Sequence, residues 1–153
     1  MDKDKSIEVL NTLIEINNDR IAGYETASNE TDEADLKALF SGLMQTSQKC
    51  KAELIIEVIK LGGTPIEGTK TTGKLFRVWM DIKSALTGKD RKAILNSCEF
   101  GEDIAIDTYR IALRHNLDDI NSEQQVLLND QLLLIEAGHS KVNSLLEALE
   151  EAK

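Results

Sequence analysis

Residues Leu128 to Leu149 read LNDQLLLIEAGHSKVNSLLEAL. Leu128, Leu132, Ile135, His139, Val142, Leu146 and Leu149 recur at steps of three and four, the spacing of one stripe on an amphipathic helix. The stretch holds no Pro and only Gly138 as a weak helix former, so a long helix is the reading its residues favour. Within the stripe stands Glu136-x-x-His139, a carboxylate and an imidazole on one helical face. Bundles that bind two metal ions use two such motifs and two further Glu residues on facing helices. The stretch therefore sets the fold and raises a chemical question: cation ligand, or polar residue of a helical core.

Working towards the N-terminus, Leu95, Glu99, Glu102, Ile106, Tyr109 and Leu113 make a second stripe, this one with two acids in it. A third runs through Phe40, Leu43, Ser47, Cys50, Leu54 and Leu61, and a fourth through Ile7, Leu10, Ile14, Asn17, Ile21 and Tyr24. The first of these helices in chain order should end near Ser28 or Asn29, with Thr31 capping the second. Gly62-Gly63 with Pro65 stops the second, since Gly accepts a left-handed cap and Pro cannot continue a helix. After the connector GGTPIEGTKTTG, Leu75, Val78, Trp79, Ile82 and Leu86 mark a short amphipathic helix. Thr87-x-x-Asp90 then resembles a capping box that opens the third long helix.

Composition agrees with an all-α reading. The chain has 153 residues, one Pro, nine Gly and 4% aromatic residues, unlike a turn-rich β protein. We place one domain over residues 1–153, with helices over about 4–28, 32–61, 74–86, 89–115 and 121–151. A net charge of −9 argues against wrapping nucleic acid. Lys70, Lys74, Arg77, Lys83, Lys89, Arg91 and Lys92 reverse the balance locally, and solvated charges on a connector explain them most simply. The opening MDKDKSIEVL has no apolar core of a signal peptide, and no apolar run spans a bilayer, so a cytoplasmic protein without membrane attachment is expected. Cys50 and Cys98 have no zinc-knuckle or redox spacing and read as reduced, buried thiols.

Four long helices, two short hairpin loops and one long middle connection give a four-helix bundle with a crossover, the ferritin-like arrangement, with a short extra helix in the crossover. Particular residues carry a closer likeness. Leu10-Asn11-x-Leu13-Ile14, Asp19, Gly23-Tyr24, Glu53-Leu54 and Leu61-Gly62-Gly63-x-Pro65 resemble an uncharacterised bacterial family of ferritin-like four-helix-bundle proteins, a domain of unknown function. So do Arg77-x-Trp79, Leu86-Thr87-Gly88-Lys89-Asp90, Cys98-Glu99-x-Gly101-Glu102-Asp103, Tyr109-Arg110-x-Ala112-Leu113 and the late His139. Family members carry a His before the crossover Arg where this chain has Phe76, so a role for that His does not transfer. The resemblance implies a fold and a bacterial source, and leaves the chemistry open.

Asn17, Cys50 with Glu53, Glu99 with Glu102, and Glu136 with His139 all fall near the middle of their helices. Buried carboxylates are costly unless paired or bound to a cation. Three readings compete: a hydrogen-bonded layer that fixes helix register, favoured here; a metal-binding layer; and acids turned outward on the flank. The metal reading draws Glu53, Glu102, Glu136 and His139 as an oxygen-rich set for iron or zinc, which Cys50 or Cys98 would soften towards zinc. A full di-iron site lacks its second Glu-x-x-His, because helix 2 offers Cys50-Lys51-Ala52-Glu53 in its place. The expected role is non-catalytic, by binding or self-association as a homo-oligomer, a dimer in the simplest case, through a crossover helix that presents Phe76, Trp79 and Met80. The alternative is a metal-binding carboxylate protein with a degenerate ferritin-type site.

Overall fold

The computed structural model describes residues 2–69 and 74–151, apart from the side chains of Lys74 and Leu75. Lys70 of the basic segment, the connector residues 71–73 and residues 152–153 lie outside the described residues. Among the described residues the secondary structure is helical throughout: α1 (Lys3–Glu30), α2 (Ala34–Lys60), α3 (Lys74–Thr87), α4 (Arg91–His115) and α5 (Ser122–Glu151), with a 3₁₀ turn at Leu117–Asp119. No helix is long and apolar enough to cross a membrane.

The chain packs as an all-α bundle. α1 and α2 form one hairpin and α4 and α5 another. Asn17 meets Tyr109 while Arg20 meets Glu102, so α1 and α4 run antiparallel. Cys50 lies beside Gln131, and Leu43 beside Gly138, so α2 and α5 are antiparallel too. α2 and α4 consequently point the same way, and their N-terminal ends are tied by Arg91 to Glu33 and Asp35. Those pairs occupy one cation of the basic segment. The crossover between α2 and α4 carries α3, which lies against α1 and α4.

Helix ends show why the rods stop where they do. Gly62, at a φ of 82°, takes the left-handed position after α2, and the Gly63 N–H donates back to the Val58 carbonyl at 3.0 Å. Two expected caps are corrected. Thr31 does not cap α2; its hydroxyl accepts from Glu33 N at 3.2 Å in the turn, and α2 begins only at Ala34. Thr87 ends α3 rather than opening a capping box, and the Asp90 side chain caps α4 by accepting from Ala93 N at 3.1 Å. The turn between them puts Lys89 at a φ of 54°, where Gly would be less strained.

Leu10, Leu13, Ile14, Leu36, Phe40, Leu54, Val58, Ile94, Leu95, Leu128, Ile135 and Val142 build the core. α3 closes one side of it with Val78, Ile82 and Leu86. Trp79 turns inward as well, edge-on to Tyr24 at 5.0 Å between ring centroids. Its indole lies flat on Gly23, where a Cβ would fall 2.3 Å from the ring. The indole N–H is buried with no hydrogen-bond partner among the described residues.

Candidate functional site

The polar centre of the bundle is two hydrogen-bonded layers. The first is organised by Arg20 of α1, 1% exposed, and Glu102 of α4, fully buried. Arg20 donates from Nε to Glu102 Oε2 at 3.0 Å and from Nη2 to Oε1 at 2.6 Å, a bidentate pair. Tyr24 Oη adds a third bond to Oε2 at 2.8 Å, and Arg20 Nη1 donates to the Ser47 hydroxyl of α2. α5 contributes only Gly138: a Cβ there would sit 2.6 Å from Leu43 and 3.2 Å from Glu102 Oε1. The glycine makes room for the ion pair. Burial, the largest single influence, would lower the Arg20 pKa, but the charge and hydrogen bond of Glu102 together with the nearby Tyr24 and Tyr109 hydroxyls outweigh it and hold the guanidinium protonated above its ordinary value. Tyr24 is pushed up by burial and by the Glu102 charge, so its hydroxyl stays a donor.

The second layer also spans all four long helices. Asn17 of α1 donates to Tyr109 Oη at 2.9 Å, and Tyr109 of α4 donates to Gln131 Oε1 of α5 at 2.7 Å. Gln131 then reaches α2, donating to the Cys50 carbonyl at 3.2 Å and to Glu53 Oε1 at 3.1 Å. Burial pushes the Cys50 thiol up to about 11 and the Cys98 thiol higher still, and both cysteines are free and buried. A protonated thiol is a poor nucleophile and a poor metal ligand.

The expected ligands Glu53, Glu102, Glu136 and His139 are therefore not brought to one point. Glu102 is consumed by Arg20. Glu53 sits at the edge of the other layer, with Lys49 at 3.4 Å. Glu136 is 40% exposed and turned towards Arg110, 4.0 Å away. His139, expected to face inward, is instead on the α4–α5 flank with its side chain 23% exposed and its Nε2 2.9 Å from Asp103 Oδ1. The physical reason is helix phase: Ile135, Gly138 and Val142 are the buried steps of α5, which turns His139 aside. A ferritin-type metal centre does not fit this interior, because the carboxylate that would ligate the ion already holds an internal guanidinium.

Arg20 is the residue that sequence reading missed, since the apolar step to Ile21 matched the stripe better. The available signal was the pair of acids in the α4 stripe, which demanded a buried cation from some other helix. No curated protein matches the chain. Residues 5–115, from α1 to the end of α4, match the model of a family described as Domain of unknown function (DUF2383), and the chain belongs to that family.

Proposed function

We propose that this is a ferritin-like bundle protein of bacterial, cytoplasmic origin that works without catalysis, by self-association. The observation that carries the reading is the Arg20–Glu102 pair, a cation of the chain itself set where a metal-dependent bundle would keep its ion. The parallel α2 and α4 joined by a crossover support the ferritin-like assignment. With the buried ion pair satisfied internally, the polar layers fix helix register, and the surface is left to act.

The surface face that favours a second copy is the groove between α1 and α3. Phe76 and Met80 stand 44% and 53% exposed beside it, while Trp79 has been taken into the bundle. Glu30 lines its α1 wall and Lys83 its α3 wall, both exposed. A two-fold contact would set Lys83 of each copy against Glu30 of the other, an isologous pairing with opposite charges facing. Sedimentation velocity tests the proposal: the mass should rise towards twice 17.0 kDa with concentration and fall back in Met80→Glu. A strict monomer at the highest attainable concentration would reject it.

A further inference from the structure

We propose a second, peripheral site on the α4–α5 flank, formed by Glu99, Asp103 and His139, that binds a divalent transition-metal ion of the zinc class. It is separate from the self-association reading and shares only His139 with the interior set Glu53, Glu102, Glu136 and His139. Glu99 and Asp103 are one helical turn apart on α4, and the antiparallel α5 lays His139 against them. One donor atom from each lies within 4.8 Å of the other two.

The simplest competing account is a surface His–Asp pair, with Nε2 and Oδ1 2.9 Å apart. Two further observations go past it. First, a second carboxylate, Glu99, converges on the same imidazole, and one imidazolium offsets only one of two negative charges. Secondly, the ring is held from behind: Asn143, one turn along α5, places its amide 3.2 Å from His139 Nδ1. The amide nitrogen faces Nδ1 in this arrangement; turned over, the Asn143 amide would present its oxygen to a protonated Nδ1 and free the Nε2 lone pair for a metal ion beside the two carboxylates. Metal-bound imidazoles are oriented by such an outer partner.

One imidazole nitrogen with two carboxylates suits zinc, manganese or ferrous iron; it is too poor in oxygen for calcium and lacks the sulfur that selects cuprous copper. Ligand distances of about 2.0–2.2 Å require donors closer together than the present spread. The exposed side chain of Asp103, at 55%, has the freedom to close it. The flank is half open to solvent, which leaves coordination positions for water. Neighbouring Glu136 is drawn off by Arg110, and Glu102, one residue before Asp103, points into the bundle.

The test uses the full chain without an affinity tag, stripped with chelator and titrated with zinc chloride by calorimetry in excess magnesium. One saturable equivalent is expected. His139→Gln and Asp103→Asn should each abolish it, and Asn143→Leu should weaken it about tenfold through loss of the outer partner. Glu53→Gln and Glu136→Gln should bind as the parent does. Circular dichroism of each variant confirms the fold, since none of the ligand side chains is in the core. Absence of saturable uptake would overturn the site, as would uptake that survives His139→Gln or is lost on replacing His115.

Discussion

Replacing Glu102 with Leu separates an interior held by an ion pair from one held by packing alone. The carboxylate accepts two bonds from Arg20 and one from Tyr24, and after its loss Arg20 keeps only the Ser47 hydroxyl in a position 1% exposed. Breaking a buried pair by removing one partner costs about 3–5 kcal/mol. That is a large part of the roughly 5–15 kcal/mol that stabilises a typical domain. For a chain of this size it corresponds to a fall in Tm of about 6–20 °C. Adding Arg20→Met removes the stranded charge. The double variant then lacks partners for only the Tyr24 and Ser47 hydroxyls, at about 1 kcal/mol each, and should lie within about 2 kcal/mol of the parent. A double-mutant cycle from urea unfolding followed by far-ultraviolet circular dichroism should thus give a coupling above about 3 kcal/mol. A cost below about 1 kcal/mol for Glu102→Leu alone, or additive single costs, would refute the closed centre.

Trp79→Ala should cost on the order of 3 kcal/mol, because its ring fills the space over Gly23 and against Tyr24; Trp79→Phe should cost less, since it also removes a buried indole N–H without a partner. A loss below about 0.5 kcal/mol in Trp79→Ala would mean that α3 is loosely attached. Gly23→Ala should destabilise by about 1–3 kcal/mol despite the better helix propensity of Ala, and should shift Trp79 fluorescence to the red; an unchanged spectrum would contradict the flat packing. Stability should be full below pH 9.0 and fall towards pH 11, because the folded chain keeps the Cys50 proton to about 11 while the unfolded thiol releases it near 9.0. Tyr24, Tyr109 and Cys98, all pushed up by burial, act in the same direction, and a flat unfolding free energy across that range would count against them.

The helical character was legible because each rod repeats apolar residues at three and four, and Leu10, Ile14, Phe40, Leu54, Leu95 and Val142 are buried as those stripes require. What failed was phase. In α4 the stripe was drawn through Glu99 and Leu113, whereas Cys98 and Ala112 are the buried neighbours; in α5 it was drawn through Leu132 and His139, whereas Gln131 and Gly138 face inward. Each error preferred a large apolar or a chemically suggestive residue over a small or amide-bearing one. Hydrophobicity scales favour such choices, but the interior here is decided by what an ion pair and an amide chain need. Ala, Gly and Cys admit the polar layers where a Leu would exclude them.

The same logic explains where the side chains of EAGH lie. A buried guanidinium with a bidentate carboxylate occupies more width than two aliphatic side chains, and the fourth helix must recede at that height. Gly138 is how α5 recedes, with Glu102 Oε1 already 3.2 Å from where its Cβ would be. Helical geometry then leaves the residues on either side no choice: Glu136 and His139 fall to the flank, where they meet Arg110 and Asp103. The central and the peripheral clusters are thus coupled through a single turn of helix. Arg20 keeps the centre for itself, and in doing so it places the imidazole of His139 beside Glu99 and Asp103, on a face of that turn that solvent can reach.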